Sequence, residues 1–387
     1  MSNSDPAEMV PDGNKYISSQ GTRVVKGGIR PNTATGVPDI DRKPPWLRVK
    51  LPAGTQYEAM CDSVRSRKLN TVCAESKCPN IAECWGRGTA TLMLMGSVCT
   101  RACKFCSVST GNPNGWLDPL EPPQVADAVA LMGLNYVVLT SVDRDDLADD
   151  GAAHYAACVR AIHQRSPQSA VEALTPDFAG DLAAVATVLD AGLVTYAQNI
   201  ETVKRLTHPV RDPPAGYAQT LGVLAFAKQP APKTLTKTSL MLGLGETGAE
   251  IERTLDDIRG ANVDVVTLGQ YMRPSSHHLP VQRFVTPDEF RYYREQGFPG
   301  GGRRAAGALR LWRRACAGVQ QSGLVIQHAA GRYAEFSHQR PAELGAWRGT
   351  AAVVSGATKD STRINEDACH EYIHLPAGHR GAGAQAP

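Results

Sequence analysis

From residue 90 onward, short apolar runs alternate with helix-length stretches, and this alternation restricts the chain to few folds. The runs are ATLMLMG (90–96), NYVVLTSV (135–142), SAVEALT (169–175), LVTYAQN (193–199), TKTSLMLGLG (236–245) and VDVVTLGQY (263–271). Between them lie stretches such as EPPQVADAVALMG, DGAAHYAACVRAIHQ and AGDLAAVATVLDAG, opened by Pro or Asp and mostly closed by Gly. Strand, helix and strand in series predict an α/β architecture, a partial (β/α)6 TIM-type barrel with parallel strands. Functional groups then belong at the C-terminal ends of those strands.

The flanks read differently. Residues 1–45 are polar and rich in Gly, Pro and Thr, and predict an extended arm that wraps the domain or stays mobile. TQYEAMCDSVRSRKL carries helical spacing at Tyr57, Met60 and Val64. VTPDEFRYYREQ (285–296) reads as one more capped helix. After Gly297 the texture turns to Gly, Ala and Arg with weak periodicity, and the tail to Pro387 is expected to be irregular. The expected division is an arm at 1–45, a cysteine-bearing segment at 46–88, the barrel at 89–285, and a helix with an atypical tail at 286–387.

A net charge of +3 gives no bulk electrostatic case for nucleic acid or a membrane surface as partner. No apolar run approaches the about 18 residues of a membrane span. The N-terminus has no apolar signal region, and Asp5, Glu8 and Asp12 argue against an Arg-rich presequence. The expected location is the cytoplasm, where clustered thiols hold metal rather than pair as disulfides.

Six of the ten cysteines fall in two triplets: Cys73, Cys78 and Cys84, then Cys99, Cys103 and Cys106. The second follows the first barrel strand directly, at the predicted mouth. Three thiolates on one short loop can hold three irons of a [4Fe–4S] cluster and leave the fourth iron open to a chelating ligand. A zinc knuckle is the alternative, although such sites usually supply four ligands. Cys158 lies on a predicted helix and reads as a small buried hydrophobe. The pair His277–His278 reads as surface loop.

The second triplet's spacing, at this place before a β/α barrel, resembles the radical S-adenosylmethionine superfamily. With the first triplet, TVCAESKCPNIAECW and GTATLMLMGSVCTRACKFC resemble the lipoyl synthase family. The likeness continues through YVVLTSVDRDDLADDGA, NIETV, LMLGLGET and GQYMRPSSHHLPVQRFVTPDEF, over roughly residues 43 to 296. Biotin synthase, which also inserts sulfur by radical chemistry, lacks the upstream triplet.

The resemblance implies two [4Fe–4S] clusters: an auxiliary sulfur-donating cluster on Cys73, Cys78 and Cys84, and a radical-generating cluster on Cys99, Cys103 and Cys106. It implies S-adenosylmethionine as cofactor and insertion of two sulfurs at carbons 6 and 8 of an octanoyl chain on a carrier lysine. The implied partners are octanoylated lipoyl domains of 2-oxoacid dehydrogenases or glycine cleavage H protein, and a reduced donor such as ferredoxin or flavodoxin. Expected S-adenosylmethionine contacts are Phe105, Thr140, Ser141, Asn199, Glu201, Gly243 and Gly245. Phe105 reads equally as a loop anchor, and Asn199 and Glu201 as caps of the following helix. DRDDL (143–147) reads either as a solvated helix start or as a functional loop. Arg273 meets either the methionine carboxylate or solvent.

One departure stands out. The family closes with an Arg-Ser-Ser-Tyr type motif whose serine is the fourth auxiliary ligand, and this chain reads AAGALRLWRRACAG there. Gly307–Trp312 admits a codon choice that, shifted by one nucleotide, spells Val-Arg-Ser-Gly-Tyr. A frameshift near residues 297–302 is therefore expected, with Ser322, Ser337 or Cys316 as substitute ligands if the frame is continuous. Resequencing of the gene decides between them.

Overall fold

The computed structural model describes residues 10–18, 21–28, 43–47, 90–297 and 323–327. Cys73, Cys78 and Cys84, the Gly307–Trp312 stretch and the three substitute ligands all lie outside the described residues.

The sequence-predicted alternation is realised. Strands β3 (Ala90–Leu94), β6 (Tyr136–Ser141), β7 (Ala170–Leu174), β8 (Thr195–Ala197), β9 (Leu235–Leu242) and β10 (Val265–Gln270) pair in parallel in that order. Helices α1 (Glu121–Leu131), α2 (Ala152–Arg165), α3 (Leu182–Leu189), α4 (Tyr217–Ala227) and α5 (Gly248–Gly260) separate these six strands and cover one face. Together they form a partial α/β barrel. Each boundary has a local cause. At α5 the Thr247 hydroxyl accepts from Glu250 N while the Glu250 carboxylate accepts from Thr247 N, a reciprocal capping box. α6 (Pro287–Gly297) starts the same way from Thr286 and Glu289.

Register assigns the two faces of the sheet. Val137, Leu139 and Val171 are fully buried against the helices, and the Tyr155 hydroxyl of α2 donates to Leu139 O at 2.6 Å. The alternate positions form the barrel interior. There the Glu172 carboxylate accepts from Tyr136 OH and from Lys237 Nζ, both at 2.6 Å. These contacts span β6, β7 and β9 toward the strands' N-terminal ends. They close the end of the barrel away from the cysteines with a satisfied, charge-assisted network.

Two expectations need correction. Part of the arm is a hairpin, in which β1 (Lys15–Ile17) pairs antiparallel with β2 (Arg23–Val25). β2 then pairs with β5 (Ser109–Gly111), which pairs with β4 (Val98–Cys99), so the hairpin extends a four-stranded sheet built on the cysteine loop. Gly28 shows why it fits: at φ 68° an added Cβ would lie 2.8 Å from Val108 O. The tail also carries a strand. β11 (Gly323–Gln327) lies antiparallel to β10 at the sheet edge. Its LVI core supplies β-branched residues, which strands favour, despite the Gly- and Arg-rich surroundings.

Candidate functional site

The cysteine loop leaves β3 through Met95 and Gly96, both at positive φ (64° and 86°). A left-handed turn at a non-glycine residue carries strain and needs external support. Glu121, the first residue of α1, provides it by accepting from Met95 N at 3.0 and 2.9 Å. The chain then reaches Cys99 in β4 and passes through Cys103 and Cys106 before β5.

Each cysteine is tied to a different later element. The Cys99 thiol donates to Asp143 Oδ2 at 3.6 Å, and its sulfur accepts from Arg101 N at 3.4 Å. The Cys103 sulfur accepts from Asp212 N at 3.3 Å, while the Asp212 carboxylate accepts from Ala102 N at 2.8 Å. The Cys106 carbonyl is met by His278 Nε2 at 3.0 Å. A carbonyl only accepts, so Nε2 carries the proton and Nδ1 accepts from the Ser275 hydroxyl, 2.8 Å away.

The electrostatics oppose free thiolates. Burial first, then the neighbouring Asp143 and Cys106, push the Cys99 thiol well up. Burial raises Cys103 to about 12 and Cys106 to about 11, despite the backbone N–H groups that favour their charged forms. Three protonated, half-buried thiols on one loop match a soft cation centre, which would take the charge that burial refuses. The donor set therefore fits an iron–sulfur cluster held on three sides.

Behind the loop sits Arg101, only 5% exposed. Its guanidinium pairs with Asp145 at 2.7 Å, Asp177 at 2.8 Å and Asp143 at 3.3 Å. Burial and the other two carboxylates overcome that pairing at Asp143 and raise it to about 6. DRDDL is thus a packed loop rather than a solvated helix start. Arg144 is fully buried and pairs with Asp146 at 2.7 Å.

The other sequence-predicted residues divide. Phe105 packs, partly buried, against the core, in keeping with its reading as a loop anchor. Thr140 and Ser141 end β6 on opposite faces, Thr140 beside Met93 and Ser141 beside Leu94. Asn199 bonds the Glu201 carboxylate, which burial raises and Arg211 partly lowers again. Glu201 itself holds a positive φ of 66°. It lies close enough to Cys106 to raise that thiol, so β8's exit and the cysteine loop adjoin. Gly243 (φ 102°) packs against the chain itself, since an added Cβ would lie 2.4 Å from Gln270 Nε2 and 2.6 Å from Arg283 O. Gly245 shares that φ and gives its carbonyl to Arg205 Nη2 at 2.9 Å. Arg273 is turned onto its own loop, donating to His278 O and Ser276 O.

Sequence reading missed Asp212 and His278 as supports of the loop, and held Asp143 only as part of DRDDL, which it read two ways. The expectation of a surface histidine pair is corrected: His278 is fully buried, because a bound carbonyl and a serine hydroxyl satisfy both ring nitrogens. The only signal was its setting in RPSSHHLP. Replacing His278 with alanine is expected to cost about 1–3 kcal/mol by orphaning the Cys106 carbonyl. A shifted denaturant midpoint at unchanged m-value checks it.

Comparison with known proteins meets this geometry. Residues 93–258 match the model of the radical SAM superfamily, and residues 25–78 that of the N-terminal domain of lipoyl synthase of the radical SAM family. A lipoyl synthase of Marinobacter nauticus is 59% identical over 76% of this chain and 84% of its own length. One from Ectopseudomonas mendocina is 57% identical over 78% and 86%. One from Francisella tularensis subsp. novicida is 56% identical over 76% and 89%. Membership of the superfamily implies a [4Fe–4S] cluster and S-adenosylmethionine. Identity at this level over three quarters of the residues, together with a parallel barrel carrying three cysteines at its first strand's exit, leaves one conclusion: the chain belongs to the lipoyl synthase family.

Proposed function

We propose that this protein inserts two sulfur atoms, at carbons 6 and 8, into octanoyl groups amide-linked to a lysine of lipoyl carrier domains. The observation that carries the proposal is the loop of Cys99, Cys103 and Cys106, held at the barrel mouth in a chain of this family. The same reading assigns Cys73, Cys78 and Cys84 to an auxiliary [4Fe–4S] cluster. It divides the chain into an arm (1–45), an auxiliary-cluster segment (46–88), the barrel (89–285) and a tail (286–387). When bound to the three loop cysteines, a cluster supplies the electron that splits S-adenosylmethionine into a radical able to take hydrogen from an unactivated C–H bond.

The chain's own residues do the holding. Asp143, Asp212 and His278 fix the loop from three directions, so the cysteines keep one arrangement through the reaction. Asn199 and Glu201 leave β8 beside Cys106, where they are suited to the ribose of the cofactor. Thr140 presents a hydroxyl from the interior face of β6 for its methionine end. Phe105, by apolar packing, and Gly245, by close backbone approach, complete the proposed cofactor contacts, whereas Ser141, on the opposite face from Thr140, and Gly243, packed on Gln270 and Arg283, are turned away from it. Met93, Val138, Leu174 and Met241 share the interior face by register, an apolar lining suited to an octanoyl chain. The substrates proposed are octanoylated domains of 2-oxoacid dehydrogenases or glycine cleavage H protein, with ferredoxin or flavodoxin as electron source and the cytoplasm as location. Among the described residues, no helix is long and apolar enough to cross a membrane.

A second reading, a non-catalytic iron–sulfur protein of the same ancestry, is favoured by the missing Arg-Ser-Ser-Tyr motif. Reconstituted protein given S-adenosylmethionine, a reductant and an octanoyl-lysine peptide decides between them. Formation of 5′-deoxyadenosine and thiolated peptide is expected. About eight irons per chain without either product would establish the second reading.

A further inference from the structure

Away from the cysteine loop, Glu121, His154 and Cys158 converge where the start of α1 meets α2. One carboxylate oxygen, the imidazole Nε2 and the Cys158 sulfur all lie within 4.8 Å of one another. His154 and Cys158 stand four residues apart on α2, which places them on one helical face. Glu121 reaches across from α1, with its Oε2 2.6 Å from His154 Nε2.

We propose that Glu121, His154 and Cys158 form a site for a zinc ion, separate from the iron–sulfur ligands. Carboxylate, imidazole and thiolate are the mixed hard and soft donor set that zinc accepts, and three protein ligands leave one tetrahedral position. That position can be reached by water, because the His154 and Glu121 side chains remain 11% and 13% exposed. The fully buried Cys158 thiol faces the Glu121 carboxylate, and burial with that negative charge pushes its pKa up. Losing the thiol proton there sets a second negative charge beside the Glu121 carboxylate, which a dication offsets.

The proton balance is simple. Zinc binding releases the Cys158 proton to solvent, and any proton on His154 Nε2 moves to Nδ1, freeing the Nε2 lone pair. Glu121 keeps its bonds to Met95 N, since a carboxylate has about four acceptor positions. The metal would thereby brace the strained residue four positions before Cys99.

The test uses the reconstituted, cluster-loaded protein, incubated anaerobically with zinc chloride and dialysed. Zinc and iron are then counted per chain, and zinc affinity is measured by competition with a chromophoric chelator. One zinc per chain at unchanged iron is expected, with affinity at least about tenfold weaker in His154→Ala and in Cys158→Ala. Zinc below stoichiometry in the wild type, or equal affinity in both variants, overturns the proposal and leaves a hydrogen-bonded clamp. Should a variant misfold, the zinc K-edge absorption spectrum of the wild-type holoprotein decides alone. One sulfur with nitrogen and oxygen neighbours supports the site, whereas an all-sulfur or sulfur-free shell refutes it.

Discussion

Replacing Cys103 with alanine is expected to reduce 5′-deoxyadenosine formation to background and to lower bound iron from about eight to about four per chain. Cys103 is the middle cysteine of the loop, and its sulfur already accepts Asp212 N at 3.3 Å, a bond that favours the charged form. Alanine removes the thiol but leaves the Ala102 N–Asp212 bond and the Cys106 N–Cys103 O bond of 3.1 Å, since neither uses the Cys103 side chain. The polypeptide should therefore fold as before, with a circular dichroism melt close to wild type. A variant that still cleaves S-adenosylmethionine at the wild-type rate would show that the radical-generating cluster is held elsewhere.

Arg101→Met should produce the largest loss of stability, about 3–5 kcal/mol. The guanidinium is the shared counter-charge of Asp143, Asp145 and Asp177, and Asp177 is itself buried. Methionine fills much of the same volume, so the loss reports uncompensated charge rather than a cavity. Protonation can relieve part of it. Asp143 already sits near 6 beside the arginine, and losing that cation raises it further. The deficit is then smaller in acid, where Asp143 is neutral in both proteins, and grows as pH rises through about 6 toward the higher value Asp143 takes in the variant. Denaturant titrations at pH 5 and pH 8 check this, and equal deficits at both would sink the charge explanation.

The barrel was legible because its strands and helices write two different periods into the sequence. ATLMLMG and NYVVLTSV are apolar runs too short for helices, and the structure keeps them as β3 and β6 with trimmed ends. LVTYAQN shrinks most, to Thr195–Ala197, and beyond it the chain stays tied to β9 through scattered bonds such as Gln198 N to Lys237 O and Glu201 N to Ser239 O. The three loop cysteines were equally plain, since they lie within eight residues of sequence. Their supports were not. His278 lies 172 residues from Cys106, and no local pattern records a hydrogen bond made across that distance. The arm's hairpin escaped for the same reason: Arg23–Val25 is too short to announce a strand and gains its partner from Ser109–Gly111.

Those long separations also set an order of events during synthesis. Cys99, Cys103 and Cys106 leave the ribosome well before Asp212 and His278, whose bonds to the loop span 109 and 172 residues. At about 5–20 residues per second, the loop waits roughly 10–35 s for His278. Over that interval its thiols hang on a nascent chain whose later barrel strands do not yet exist. The three thiols thus stay accessible from all sides over that window, and arrival of the last clamp ends it.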